Sequence, residues 1–150
     1  AMRILGIDYG DRRIGLAVSD SSGMLARPWK VLHHNGSIRG SAELLASVTD
    51  VLSKEEDGLG GIVIGLPVGL DGTPHKQTTR VRELSGSLSR LVNFPILFQD
   101  ERLTSREAES RLAVTERNWR RRKVKLDAAA AAVILQDYLD QQAASVSRSR

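Results

Sequence analysis

Asp8, Glu101 and Asp127, with Asp100 beside Glu101, are the side chains in this chain best suited to chemistry. Hard divalent cations such as Mg²⁺ and Mn²⁺ prefer oxygen ligands, so a group of carboxylates is their natural holder. One or two such ions can activate water and stabilise a leaving oxygen, which is how many enzymes hydrolyse phosphodiesters. Each acid also has a plainer use. Asp8 closes an apolar, strand-like run, where an isolated carboxylate is costly to bury. It could instead close the following turn or pair with Arg12 or Arg13. Asp100 and Glu101 end another strand-like run, where either could be an ordinary strand-end acid. Adjacent strand residues face opposite sides, so only one of the two can join Asp8. Asp127 opens a helical pattern, a position where aspartate also serves as an N-cap. Taken singly these acids are ambiguous. Together they point to a metal site if one end of one sheet gathers them.

Other chemistries find less support. There is no cysteine, which removes disulfides, thiolate metal sites and cysteine nucleophiles. Ser19, Ser21 and Ser22 have no histidine partner in a recognisable hydrolase pattern. His33 and His34 lie in a loop with no third ligand near them in sequence, and read as surface residues rather than a zinc site.

Positive charge is concentrated. The chain has 150 residues and a net charge of +4. The stretch Arg117-Asn118-Trp119-Arg120-Arg121-Arg122-Lys123-Val124-Lys125 holds six basic residues and no acidic one; the remainder has 16 basic residues against 18 acidic. A local basic excess suits a polyanion, so Arg117, Arg120, Arg121, Arg122, Lys123 and Lys125 are candidate nucleic-acid contacts. Trp119 is a candidate for stacking on an unpaired base. The alternatives are a solvated helix face for the charges and packing against the last helix for Trp119. Composition is that of a globular domain, with 41% hydrophobic and 27% charged residues. No apolar run approaches the roughly 18 residues of a membrane span. Met2 reads as the native start, and the chain goes straight into a strand-like segment, so no secretory leader is expected and the cytoplasm is the expected location.

These residues need elements to position them. Residues 3–9 and 13–19 read as strands joined by a turn at Gly10-Asp11. In the second, bulky Ile14, Leu16 and Val18 alternate with small Gly15, Ala17 and Ser19. Residues 24–32 make a weaker strand whose Pro28 suits a sheet edge. A helix is expected over 41–57, capped by Ser41, with Leu44, Leu45, Val48, Val51 and Leu52 inward. Residues 61–67 form a continuous apolar run, the pattern of a strand buried on both faces. Thr73-Pro74 opens a second helix bearing Val81, Leu84, Leu88 and Leu91. Residues 95–101 are a fifth strand. Thr104 and Glu107 fit a capping box for a third helix. A last helix spans about 126–142, before a frayed tail over 143–150. One domain over 1–150 is expected, an α/β fold with a mixed five-stranded sheet and helices on both faces.

Four blocks in order carry a resemblance. They are Asp8-Tyr9-Gly10-Asp11-Arg12-Arg13-Ile14-Gly15-Leu16-Ala17-Val18-Ser19-Asp20, then Ile64-Gly65-Leu66-Pro67 with Asp71-Gly72-Thr73, then Asp100-Glu101-Arg102-Leu103-Thr104-Ser105, and Lys125-Leu126-Asp127-Ala128 with the alanines that follow. The chain resembles the YqgF (RuvX-type) family over residues 3 to about 140. The resemblance implies a ribonuclease H-like nuclease related to Holliday-junction resolvases, with an expected role in trimming the ends of precursor 16S ribosomal RNA. It implies Mg²⁺ or Mn²⁺ as cofactor. It carries the family's catalytic, metal-holding acids onto Asp8, Glu101 and Asp127, favouring Glu101 over Asp100. Expected partners are an rRNA precursor and single-stranded or branched DNA, with the chain acting as a monomer or homodimer. The sequence departs from the pattern before Asp127, where many members carry glycines and this chain has Trp119 among arginines. A sugar-kinase-like ATPase module would need a second domain for which 150 residues leave no room. A non-catalytic RNA-binding ribosome-assembly factor is the alternative reading.

Overall fold

Alternation along β1 (Arg3–Tyr9) and β2 (Arg13–Ser19) sets the architecture. Leu5, Ile7, Ile14 and Leu16 are fully buried on one face, while Gly6, Gly15 and Ala17 turn to the other. The computed structural model describes residues 2–67, 76–100 and 119–148, and side chains at all of these except 119–125 and 146–148. After β2 come β3 (Ala26–His33), α1 (Ile38–Ser53), β4 (Leu59–Leu66), α2 (Lys76–Ser89), β5 (Ile96–Asp100) and α3 (Trp119–Arg148). The helix expected after Thr104 and the Thr73-Pro74 cap lie outside the described residues.

The strands form one five-stranded sheet in the order β3-β2-β1-β4-β5. β1, β2 and β3 pair antiparallel, whereas β4 and β5 run parallel to β1. Parallel neighbours need a crossover, which α1 supplies before β4 and α2 before β5. The expected mixed sheet with helices on both faces is thus what the chain builds. β3 is an edge, as Pro28 suggested. Its register shifts where Leu16 pairs with Lys30 and Ala17 with Pro28, leaving Trp29 as the extra residue of a bulge.

The two sheet faces pack differently. On the first, Leu5, Ile7, Tyr9, Ile14, Leu16, Ile62 and Ile64 meet Leu45, Val48 and Leu52 of α1 and Val81, Leu84 and Leu88 of α2. Burying one such aliphatic side chain contributes roughly 1.5–3 kcal/mol. On the second, Ala17 and Val63 meet Ala131, Ile134, Leu135 and Leu139 of α3.

Two helices begin earlier than the apolar spacing suggests. α1 is capped by Ser37, whose Oγ accepts the Gly40 N–H at 3.0 Å, and Ser41 is buried inside it. The buried face of α1 runs through Ala42, Leu45, Val48, Thr49 and Leu52, whereas Leu44 and Val51, expected inward, are exposed. α3 starts at Trp119, because arginine and lysine are good helix formers and neither Gly nor Pro interrupts 119–148. It also continues to Arg148, past the end of its apolar stripe. Among the described residues, no helix is long and apolar enough to cross a membrane.

Candidate active site

Asp8 is the next-to-last residue of β1 and is partly buried. Its cross-strand partner is Gly15. Directly paired residues of antiparallel strands point to the same face, so Asp8 lies on the α3 side with Gly6 and Gly15. It does so where β1 ends, the edge at which parallel sheets commonly hold ligands.

Asp127 reaches the same place from α3. A Cβ built on Gly15 would stand 1.9 Å from the Asp127 carbonyl oxygen and 3.2 Å from the Ala128 nitrogen. Only a glycine lets the helix backbone come this close. Cross-strand Cβ positions are roughly 5 Å apart, so Asp8 and the Asp127 backbone flank one glycine. Farther along, a Cβ on Gly6 would meet Leu135 Cβ at 2.8 Å and the Ala131 carbonyl at 3.1 Å. Gly10, by contrast, closes the hairpin, donating its N–H to the Arg13 carbonyl at 2.8 Å. Asp127 sits two turns inside α3, so it is not the N-cap that the sequence allowed.

Arg13 supplies the charge that faces Asp127. Its Nε lies 2.8 Å from the buried Oδ2 of Asp127. By sequence Arg13 is a candidate partner for Asp8; its pairing with Asp127 has no local signal, because the two residues meet only through the seating of α3 on β2. Arg13 stands across from the exposed His33 of β3.

Glu101 lies outside the described residues, as does Arg117. Asp100 is described, and pairs with Leu66 on the face turned toward α1 and α2. Gln99, buried and paired with Gly65, takes the α3 face. Asp100 therefore does not share a face with Asp8. Among the described residues, no three His, Cys, Asp or Glu side chains come together as a metal-holding group. The basic stretch, expected before the last helix, forms its first two turns from Trp119 to Lys125. α3 passes Gly15 at Asp127 and Gly6 at Ala131, and Gln136 then binds the backbone of Met24 and Ala26. It thus runs toward the start of β1, and Trp119–Lys125 overhang the opposite edge, beyond Asp127, by roughly 12 Å.

His34 proves to be no loose surface residue. Its ring stacks on Tyr9 with centroids 4.9 Å apart, its Nδ1 accepts the Gly36 N–H at 3.0 Å, and its Nε2 lies 2.7 Å from the Gly10 carbonyl. An imidazole that accepts at Nδ1 donates at Nε2, so His34 ties the hairpin turn to the loop before α1. The Tyr9 hydroxyl meets Ser41 Oγ at 2.9 Å, and Gln77 of α2 donates to the Tyr9 carbonyl at 2.8 Å. The end of β1 is thereby held from the side opposite Asp8.

Similarity to known proteins bears on the family and the fold. A family model, "RuvX: Holliday junction resolvase", matches residues 2–141. A Maridesulfovibrio salexigens protein named "Putative pre-16S rRNA nuclease" is 41% identical over 138 residues, covering 92% of this chain and 98% of its own. A Pelotomaculum thermopropionicum protein of the same name is 36% identical over 141 residues, covering 94% and 88%. Among solved structures, Thermus thermophilus RuvC superposes with a TM-score of 0.52 at 15% identity, covering 89% of this chain and 92% of its own. RuvC in complex with a Holliday junction substrate gives 0.50 at 15%, covering 95% and 96%. Likeness at that identity shows the fold, which is ribonuclease H-like. The family model and these relatives, matched along nearly their whole length, show that the chain belongs to the RuvX family.

Proposed function

We propose that this chain is a divalent-metal-dependent nuclease whose metal-holding acids are Asp8, Glu101 and Asp127. One observation carries the reading: Asp8 and Asp127, far apart in sequence, flank Gly15 at the sheet edge where β1 ends. The donor set fits a hard cation. Both residues offer carboxylate oxygens, and the buried Asp127 oxygen already faces a positive charge. The alternation of β5 takes Asp100 off the Asp8 face and favours Glu101 as the third acid. When bound, Mg²⁺ or Mn²⁺ supplies activation of water and stabilisation of the leaving oxygen. The chain's own residues fix the rest. β1 and β2 hold Asp8, Gly15 seats Asp127 beside it, and Tyr9 and His34 brace the turn between the strands. Arg120, Arg121, Arg122, Lys123 and Lys125 overhang the edge and grip the phosphate backbone, joined by Arg117, with Trp119 stacking on an unpaired base.

The names of the relatives favour pre-16S rRNA as substrate; we further propose that the cut trims its 5′ end and that it is made in the cytoplasm. The family description and the RuvC complex favour branched DNA. Symmetric resolution of a junction would need two copies of this single site, whereas end trimming needs one. The test is cleavage of RNA, single-stranded DNA and a four-way junction with Mn²⁺, comparing wild type with Asp8→Asn. The wild type should cut at least one of these, and the variant should be slower by about 100-fold or more. Equal cleavage by both proteins would remove the proposed site.

A further inference from the structure

The Arg13–Asp127 pair sets two roles of one carboxylate against each other. A side chain meant to hold a cation has a guanidinium nitrogen at 2.8 Å, and both partners are only 28% exposed. A carboxylate oxygen this buried needs a positive partner. Arg13 supplies that positive charge. Arg13 is not committed by its backbone to this role. It is the first residue of β2, at the sheet edge on the face of Asp8 and Gly15, and its long side chain can move while its carbonyl still closes the Gly10 turn. A guanidinium is also the group that best matches the oxygens of a phosphate.

We propose that Arg13 is an exchange cation. It holds Asp127 in the metal-free protein, yields Oδ2 to the divalent ion, and then binds a phosphate oxygen of the nucleic acid at the same edge. This rests on the metal-dependent reading of Asp8 and Asp127. It assigns to Arg13 the coupling of metal binding to substrate binding, since the side chain is released for phosphate only after the metal has taken its place. The ion brings two charges where Arg13 brought one, and the released Arg13 adds its own charge to the side facing the phosphate.

The ¹⁵N signal of the Arg13 Nε–H group, assigned by its loss in Arg13→Lys, reports the pair directly. Titrating the wild type with Mg²⁺ should shift that signal in step with metal binding measured by calorimetry. Arg13→Gln should bind Mn²⁺ roughly 1.5- to fivefold more tightly, the range expected for removing a partly exposed ion pair. The same variant, saturated with Mn²⁺, should bind a short single-stranded oligonucleotide more weakly than the wild type, by a similar factor. Melting curves of both Arg13 variants separate these effects from misfolding, and the Mg²⁺ titration is read on the wild type, with Arg13→Lys used only to assign the signal. Metal binding that leaves the Arg13 signal unmoved overturns the exchange. Tighter metal binding with unchanged oligonucleotide affinity overturns the phosphate role. Failure of both wild type and Arg13→Gln to bind either metal overturns the metal-dependent reading itself.

Discussion

The two faces of the sheet solve opposite problems with the same strands. Toward α1 and α2 the strands present large residues, Leu5, Ile7, Ile14, Leu16, Ile62 and Ile64. These keep the helices at side-chain distance and build the larger core. Toward α3 they present Gly6, Gly15, Ala17 and Val63, and the helix backbone itself comes down onto the glycines. The large face fixes the fold. The small face fixes where Asp127 stands relative to Asp8. A residue on the first is therefore expected to matter for stability, and one on the second for activity.

Paired substitutions on β2 put this to the test. Leu16→Ala removes a fully buried side chain from the large face and should cost about 2–5 kcal/mol in urea unfolding. Activity per folded molecule should be retained. Gly15→Ala, one residue earlier, should cost less, about 1–3 kcal/mol, because α3 can shift to relieve the clash with the Asp127 carbonyl. That same shift displaces Asp127 from Asp8, so Mn²⁺-dependent cleavage should fall far more than in Leu16→Ala. If Gly15→Ala keeps full activity, the close seat of α3 is not what positions the site.

Much of this contrast was legible in the sequence. Bulky and small residues alternate over residues 13–19, and the patterns of residues 3–9, 61–67 and 95–101 marked three more strands of the sheet. Pro28 marked an edge. Less was legible where physics is not periodic. The start of α3 was hidden because Trp119 to Lys125 carry no apolar stripe, yet their helix propensity is enough to extend a helix already anchored by packing. The Ser37 cap lost to Ser41 in the reading because both precede helix-like spacing; only the Gly40 N–H to Ser37 Oγ bond distinguishes them. Asp127 read as a cap for the same reason. Its pairing with Arg13 is a contact between residues distant in sequence, and no local pattern encodes it. His34 looked like loop surface because its partners, Tyr9, Gly10 and Gly36, become neighbours only when the hairpin folds over.

The seat of α3 has two ends, and they should separate experimentally. At the far end Gln136 accepts the Ala26 N–H at 2.9 Å and donates to the Met24 carbonyl at 2.9 Å. Gln136→Ala removes both and should cost about 1–2 kcal/mol in urea unfolding. The Asp127 end, held by Gly15 and Arg13, should not notice, so metal-dependent cleavage should persist. Loss of activity in Gln136→Ala would mean that α3 behaves as one rigid lever rather than as a helix fixed locally at each end.

The smallest expected effect lies in the turn that Gln136 grips. Asp20 accepts from Ser22 Oγ at 2.6 Å and from the N–H groups of Met24 and Leu25 at 3.0 and 3.2 Å. The Ser22 hydroxyl first, and those backbone donors after it, hold the Asp20 carboxyl below its ordinary value of 3.8. A carboxylate whose folded pKa lies below its unfolded one stabilises the protein above the unfolded value and loses that stabilisation as pH falls through the folded one. The turn should therefore weaken only on the acid side, below about pH 4. The amide introduced by Asp20→Asn could still accept the backbone bonds but cannot titrate. The stability difference between wild type and Asp20→Asn should thus narrow as pH is lowered from about 6 toward about 3, followed by urea midpoints at each pH. Parallel curves across that range would show that the Asp20 turn contributes nothing through its charge. A site-end response, seen as reduced Mn²⁺ binding near neutral pH in Asp20→Asn, would contradict the independence of the two ends of α3.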